Sequence, residues 1–233
     1  MKTIFLDFDG VLFDTVKEAY LLTRCAYDSI SPLEPINQTE YLKFHKYRYL
    51  ITKSWHFYYI MKLIKKHVSD NNFEIEYNQV IEHAEHKDAE IFDQKYIIAR
   101  EDLIKTNYKF WDNLDEPYPF FYKIKELSQD NKYKFIILTN KKRLPVENKL
   151  KKYALVIDLY ANEDLQKYTS KGDFINDFLK NNKIDNATLI EDSSNNIESC
   201  ACYNINGYLV DWGYISPNEK GLNLEQIIKN IEV

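Results

Sequence analysis

The chain has 233 residues, of which 45% are hydrophobic and 29% are charged. At roughly 150 residues per domain, this composition indicates a globular protein of one or two domains. Only five glycines occur, and no spacing among them matches a dinucleotide-binding fingerprint or a P-loop. The net charge of −5 provides no overall positive field, so neither nucleic acid nor a membrane surface is an expected partner.

The cysteines and the N-terminus favour a cytoplasmic protein. Cys25, Cys200 and Cys202 form no C-x-x-C pair and no zinc-ligand spacing, which fits a reducing compartment. No apolar run approaches the roughly 20 residues of a membrane span. Asp7 and Asp9 interrupt the apolar stretch that a signal peptide would need at the N-terminus. The sequence gives no indication of the oligomeric state.

The first predicted element is a continuous apolar run that carries Asp7 and Asp9 and ends at Gly10. Such a run is typical of a buried parallel strand. Residues i and i+2 of a strand share a face, so the two carboxylates project together if the strand continues to Asp9. Ionised carboxylates among apolar side chains need a partner, hydrogen bonds or a metal. The alternative is that they only end the strand and cap the next helix.

Residues 16–114 have a different pattern, rich in tyrosine, histidine and charged residues, with apolar positions at helical spacing. We predict an all-helical insertion here. Pro32 and Pro35 break its first helix, and longer helical segments are predicted at about 39–68 and 80–108.

The rest of the chain alternates apolar runs with helical patterns, which predicts a parallel α/β sheet. The runs at 135–138, 188–190 and 208–210 each end in polar residues, and a weaker run lies at 155–157. Ligands bind beyond the carboxyl ends of the strands in such sheets. We therefore expect the polar residues that follow these strands to meet in one crevice with Asp7 and Asp9.

Four short motifs occur in a fixed order along the chain. The first is Asp7-Phe8-Asp9-Gly10-Val11-Leu12-Phe13-Asp14-Thr15, and the second is Thr139-Asn140. The third is Lys171 at the start of a helix, and the acidic fourth is Glu191-Asp192-Ser193. Together they resemble the four motifs of the haloacid dehalogenase superfamily, in its phosphatase and phosphomutase branch. The resemblance covers about residues 1–15 and 115–220, and the insertion matches a helical cap by its position.

The resemblance implies an α/β fold with a Rossmann-like parallel sheet core, the haloacid dehalogenase fold, and an all-helical cap domain. The predicted domains are residues 1–15 with 115–233 for the core, and 16–114 for the cap. The implied activity is that of a Mg²⁺-dependent phosphatase acting on a small phosphate monoester, such as a phosphorylated sugar or a related metabolite. A phosphosugar mutase of the same branch and a non-catalytic phosphate-binding module are the alternatives.

The same resemblance assigns roles to the acidic residues. Asp7 would be the nucleophile that forms an aspartyl phosphate, and Asp9 would act as general acid and base. A dianionic phosphoryl group would repel Asp7 unless a hard cation neutralises the site. The implied Mg²⁺ ligands are Asp7, the backbone carbonyl of Asp9 and Asp192, with Glu191 acting through water.

Phosphate oxygens also need hydrogen-bond donors as charge shifts in the transition state. The implied donors are Thr139, Asn140 and Lys171. Lys167 is a rival for Lys171, because the family often has a longer gap before the acidic motif and a proline where this chain has Gly172. Ser170 favours Lys171, since it can cap a helix whose apolar residues then face the core.

Substrate specificity is expected to come from the cap and from the rim of the crevice. His45 and Arg48 in the insertion and Lys141 after the second motif are the candidates. The alternatives are an ordinary amphipathic cap helix for the first two and a solvated turn for Lys141. All five histidines lie in the insertion, so the predicted core cannot build a Ser-His-Asp triad.

Overall fold

A computed structural model describes residues 1–83 and 86–232. The chain divides into two compact units. The first unit comprises Met1–Asp14 and Glu116–Val233, and the second, the helical unit, comprises Thr15–Asp115. Across the described ranges, no helix has both the length and the apolar character needed to cross a membrane.

The first unit contains a parallel sheet, as the sequence predicts. The described strands of the first unit are β1 (Lys2–Leu6), β2 (Phe13–Asp14), β3 (Glu116–Pro117), β4 (Tyr133–Leu138), β5 (Asp158–Tyr160), β6 (Ala187–Glu191) and β7 (Ile205–Leu209). The sheet has the order β5-β4-β1-β6-β7, and β2 pairs with β3 in a separate antiparallel ribbon. The strand predicted at 155–157 instead begins at Asp158.

The helical unit contains α1 (Val16–Asp28), α2 (Gln38–Lys46), a 3₁₀ helix (Arg48–Leu50), α3 (His56–Lys65), α4 (Asp70–His83), α5 (Lys87–Thr106) and α6 (Tyr108–Asp112). The first unit contains α7 (Pro119–Leu127), α8 (Arg143–Lys152), α9 (Asn162–Leu165), α10 (Lys171–Asn182), α11 (Ser194–Glu198) and α12 (Leu224–Glu232).

Both faces of the sheet are covered, which explains why its strands are continuous apolar runs. Side chains alternate along each strand, so Ile4 and Leu6 belong to one apolar cluster and Phe5 to the other. The first cluster includes Phe121 of α7, and the second includes Phe174 of α10. The residues at and just after the carboxyl ends of the central strands are therefore the ones that can carry buried polar groups, as Glu191 at the end of β6 and Asp7 after β1 do.

In the helical unit, a buried ion pair joins the first helix, α1, to α5, and a hydrogen bond to the same carboxylate joins α1 to α6. Glu18 of α1 is fully buried and accepts hydrogen bonds from the Arg100 side chain at 2.9 and 3.2 Å. The same carboxylate accepts a bond from the indole N–H of Trp111 at 2.7 Å. A buried charge pair needs such additional hydrogen bonds to offset its desolvation.

The predicted extents of the two long helical segments in the insertion are wrong. The segment predicted at 39–68 is divided between α2, the 3₁₀ helix and α3, and the one predicted at 80–108 corresponds to the end of α4 followed by α5. A tertiary contact helps to explain the break between the 3₁₀ helix and α3, which follows Leu50. Its carbonyl accepts a 2.7 Å bond from the Tyr77 hydroxyl, a tertiary contact that no local helical pattern encodes.

His56 also forms a hydrogen bond with the Tyr77 side chain. Its Nδ1 lies 2.7 Å from the same Tyr77 hydroxyl. That hydroxyl has one proton, and the Leu50 carbonyl can only accept, so the Nδ1–H of His56 donates to Tyr77. Burial lowers the pKa of His56 from 6.5 to about 4, although the Leu50 carbonyl opposes the shift. His56 is therefore neutral in the folded protein near neutral pH.

This shift predicts an acid-sensitive contribution to stability. Between pH 6.5 and about 4, the unfolded chain binds a proton at His56 and the folded chain does not. The His56 contribution is present above pH 6.5 and is lost as the pH falls towards 4, by at most about 3 kcal/mol. Urea unfolding at several pH values measures it. The free energy of unfolding of the wild type, minus that of His56→Gln, should decrease as the pH is lowered from 6.5 to about 4.

The exposed His83 provides the matched control, because replacing it with glutamine leaves the buried imidazole intact. A His83→Gln curve that departs from wild type as much as the His56→Gln curve would contradict the assignment.

Candidate active site

The polar residues predicted to meet do lie at one edge of the sheet. Strand β1 is central, and its Leu6 pairs with Ile137 of β4 and Ile190 of β6. The Asp7 N–H continues the ladder by donating to the Ile190 carbonyl at 3.0 Å. The segments that follow β1, β4 and β6 therefore emerge side by side at the carboxyl edge.

Lys171 lies between two carboxylates at this edge. Its Nζ is 2.9 Å from Asp7 Oδ1 and 2.6 Å from Glu191 Oε1, and all three residues are buried. Burial alone would lower the pKa of Lys171, but the two carboxylates raise it above its usual range. The lysine is therefore a permanent cation within the acidic group.

The start of α10 fixes the position of Lys171. Ser170 caps the helix, as predicted, by accepting a bond from the Asp173 N–H at 3.1 Å. Gly172 donates its N–H to the Ser199 hydroxyl at 3.1 Å, a bond that a proline at this position could not make. Lys167 is exposed, and its ammonium lies over the Tyr168 ring, 5.0 Å from the centroid.

Glu191 is surrounded by hydrogen-bond donors. Oε1 accepts from Lys171 and from the Asn196 side-chain amide at 2.5 Å. Oε2 accepts from the backbone N–H groups of Asp192 at 2.8 Å and Ser193 at 3.2 Å. An ionised carboxylate offers about four acceptor positions. The protein's own donors therefore occupy the acceptor capacity of Glu191.

Asp192 packs against the turn that follows β1. Its Oδ2 accepts a bond from the Tyr214 N–H at 2.9 Å. Gly10 has φ +81°, and a Cβ at this position would lie 1.8 Å from Asp192 Oδ2. Both the backbone conformation and the approach of the carboxylate therefore require glycine.

Asp9 forms an ion pair with Lys141. The two atoms, Lys141 Nζ and Asp9 Oδ1, are 3.0 Å apart, and only 4% of the lysine side chain is exposed. The alternative interpretation of Lys141 as part of a solvated turn is therefore wrong. The lysine backbone is also fixed, since its N–H donates to the Thr139 hydroxyl oxygen at 3.1 Å.

The group has the charge and the ligand atoms that a divalent cation requires. Carboxylate oxygens of Asp7, Glu191 and Asp192 all lie within 4.8 Å of one another. With the Asp9–Lys141 pair included, four carboxylates meet two lysines, which leaves a formal charge of −2. Burial, followed by the charge of Glu191, raises the pKa of Asp7 to about 7 even beside Lys171. Oxygen ligands of this charge fit Mg²⁺.

The remaining predicted residues have different surroundings. Thr139 is buried directly after β4, and Asn140 is exposed beside it. In the helical unit, the Arg48 guanidinium donates to the Ile51 carbonyl at 3.3 Å, and His45 is exposed.

Two site residues were missed by the sequence analysis. Asn196 contacts Glu191, and the Tyr214 backbone contacts Asp192. A signal for Tyr214 was available, because it follows β7 at the same carboxyl edge. Asn196 lies in the first turn after the acidic motif, where an amide can reach back to it.

Comparisons with known proteins give structural matches only. No protein-family model and no curated protein matches the chain's sequence. A haloacid dehalogenase-like family hydrolase from Streptococcus pneumoniae is similar in structure, with a TM-score of 0.61 at 13% identity, and the match covers 99% of this chain and 98% of that one.

Two further solved structures are similar over comparable lengths. One is described as a predicted phosphoglycolate phosphatase from Haemophilus somnus, with a TM-score of 0.64, 13% identity, and coverage of 99% of this chain and 98% of that one. The other is described as a predicted phosphatase from Clostridium acetobutylicum, with a TM-score of 0.58, 14% identity and the same coverage. The chain thus has the fold of haloacid dehalogenase-like hydrolases, which confirms the predicted fold.

The close contact at Gly10 predicts a local requirement for glycine. Gly10→Ala should lower the free energy of unfolding by about 1–3 kcal/mol, because it combines positive φ with a clash against Asp192. Urea unfolding measures this difference. Gly207→Ala is the control, since the atoms nearest to its Cβ belong to the Ile197 side chain rather than to Asp192, and its φ is not positive. Equal losses in the two variants would contradict this account of Gly10.

Lys171 and Lys167 should differ in their effect on stability. Lys171→Met leaves Asp7 and Glu191 buried without the ammonium between them, which should cost about 3 kcal/mol or more in metal-free buffer. Lys167→Met removes an exposed charge and should change the free energy of unfolding by less than about 0.5 kcal/mol. Urea unfolding of both variants with a chelator present tests the contrast, and a reversed order would contradict it.

Proposed function

We propose that the protein is a Mg²⁺-dependent phosphatase that hydrolyses a small phosphate monoester through an aspartyl phosphate on Asp7. The observation that carries this proposal is the buried group of Asp7, Lys171, Glu191 and Asp192 at the carboxyl edge of the sheet. The structural neighbours named as hydrolases and phosphatases support an enzyme of this kind.

Asp7 is the nucleophile of the proposed reaction. Its contact with Lys171 orients the carboxylate and favours its ionised form, against the effect of burial. Attack of a carboxylate oxygen on phosphorus displaces the alcohol and leaves an acyl phosphate, which water then hydrolyses. Two easier displacements replace one difficult displacement.

Asp9 supplies the proton transfers. It protonates the leaving alkoxide in the first step and takes a proton from the attacking water in the second. Lys141 holds its carboxylate at 3.0 Å. The carboxylate is only partly buried, so it remains accessible to a leaving group and to water.

Asp7, the backbone carbonyl of Asp9 and Asp192 are the proposed ligands of Mg²⁺, with Glu191 acting through a water that takes the place of one of its present donors. When bound, the cation neutralises charge on the phosphoryl oxygens. The protein contributes the fixed position of these oxygens, since Asp192 is hydrogen-bonded to the Tyr214 N–H and lies against Gly10.

Thr139, Asn140 and Lys171 are the proposed phosphate ligands. The Thr139 oxygen already accepts the Lys141 N–H, so its own hydrogen is directed to another acceptor. The Lys171 ammonium has three hydrogens, donates one of them to Glu191 and forms an ion pair with Asp7. Thr139 and Lys171 therefore each have a donor for the phosphoryl oxygens as charge develops on them, and the proposed donor of Asn140 is its backbone N–H.

The proposed substrate is a small phosphorylated metabolite such as a sugar phosphate. Lys141, His45 and Arg48 remain the proposed specificity residues. Lys141 is at the site itself, where its pairing with Asp9 brings a cation beside the acid/base group. The three free cysteines are consistent with the proposed cytoplasmic location, where thiols stay reduced.

The proposal predicts metal-dependent turnover that requires Asp7. Hydrolysis of p-nitrophenyl phosphate should depend on added Mg²⁺ and stop in Asp7→Asn, because an amide cannot form the acyl phosphate. Asp9→Asn should slow turnover roughly 10²-fold through the loss of acid/base catalysis. Released p-nitrophenol is measured by its absorbance in the presence of Mg²⁺ or of a chelator.

Asp185→Asn is the matched control, since Asp185 is exposed in the turn before β6 and should retain wild-type turnover. Activity in Asp7→Asn would refute the nucleophile. Isomerisation of a sugar phosphate without phosphate release would favour a mutase. Phosphate binding without any turnover would favour a binding module.

A further inference from the structure

The segment 211–216, which follows β7, is attached to the first motif and to the acidic motif. Tyr214 makes two of the attachments, one through its backbone and one through its side chain. The third joins the Trp212 indole N–H to the Val11 carbonyl at 3.1 Å. The segment lies outside the four sequence motifs.

The backbone of Tyr214 orients Asp192. Its N–H donates to Oδ2 at 2.9 Å. A Cβ at Gly213 would lie 2.4 Å from the Asp192 Cβ and 2.5 Å from the Gly10 carbonyl oxygen, so the segment packs directly on Asp192 and on the turn after β1. The orientation of Asp192 therefore depends on where this segment lies.

The side chain of Tyr214 provides one anchor for the segment. Its hydroxyl donates to Asp14 Oδ1 at 2.8 Å. Asp14 ends β2 and pairs with Glu116 in the ribbon between β2 and β3. The neighbouring pair, Phe13 with Pro117, continues the same ribbon, and Phe13 is fully buried. The hydroxyl is thus anchored to a residue whose backbone is fixed by strand pairing.

We infer that Tyr214 is a positioning residue for Asp192. Its hydroxyl holds the segment on Asp14, and its N–H then holds one oxygen of the Asp192 carboxylate so that the carboxylate is presented in a single orientation. The inference rests on the proposed function, in which Asp192 is a ligand of Mg²⁺. Partners that orient a ligand in this way commonly affect metal affinity by about 10- to 100-fold.

The test is Mg²⁺ binding by isothermal titration calorimetry to the full-length protein freed of metal. Tyr214→Phe removes the anchor and keeps the ring and the N–H, so the dissociation constant should rise about tenfold. Asp14→Ala removes the acceptor and should have the same effect. Asp14→Asn keeps an acceptor oxygen and should bind Mg²⁺ close to the wild-type value.

The double variant Tyr214→Phe/Asp14→Ala should bind no more weakly than either single variant, because all three lack the same hydrogen bond. The control is Tyr49→Phe, which removes a hydroxyl contact of the same kind, to Glu74 at 3.2 Å, in the helical unit. It should leave the dissociation constant unchanged. Circular dichroism confirms that each variant is folded before titration.

The outcomes separate this inference from the proposed function. A wild-type protein that binds no Mg²⁺ at millimolar concentration overturns the metal site and the inference with it. A wild-type protein that binds Mg²⁺ while Tyr214→Phe binds it equally well overturns the inference alone. So does a loss in Asp14→Asn as large as that in Asp14→Ala, because the hydrogen bond would then not be the cause.

Discussion

The site depends on the ammonium of Lys171 lying between Asp7 and Glu191. Two carboxylates this close in a buried setting repel each other, and unit charges at 4 Å interact by about 4 kcal/mol at the effective dielectric of a protein surface. The lysine, at 2.9 and 2.6 Å, turns that repulsion into two attractions. The N-cap of α10 and the bond from Gly172 to Ser199 both serve to place this one cation.

The parallel sheet makes this arrangement available. Strand β1 is central, and both of its faces are covered by apolar side chains. Charged side chains can therefore be placed only at the ends of this strand. The register of the two strands then brings the carboxylates together. Leu6 pairs with Ile190, so the next residues, Asp7 and Glu191, lie side by side at the carboxyl edge. The same packing that stabilises the core therefore concentrates negative charge at its edge.

These features explain what could be predicted from the sequence. Apolar runs that end in carboxylates identify the strands and the edge, and Ser170 with Phe174 identifies the start of α10. The breaks between α2 and α3 could not be predicted, because they depend on contacts such as that of Tyr77 with Leu50. Tyr214 and Asp14 are 200 positions apart, and no local pattern encodes their hydrogen bond.

Glu191 and Asp192 are neighbours of the same chemical type, yet the structure gives them different tasks. Protein donors fill the acceptor positions of Glu191, namely Lys171, Asn196 and two backbone N–H groups. Direct ligation of a cation by Glu191 would require one of these bonds to break. In the proposed enzyme Glu191 therefore acts on the metal mainly through its charge, and it keeps Lys171 in place. A water between Glu191 and the metal would likewise have to replace one of these donors. The direct contact falls to Asp192, whose orientation depends on Tyr214.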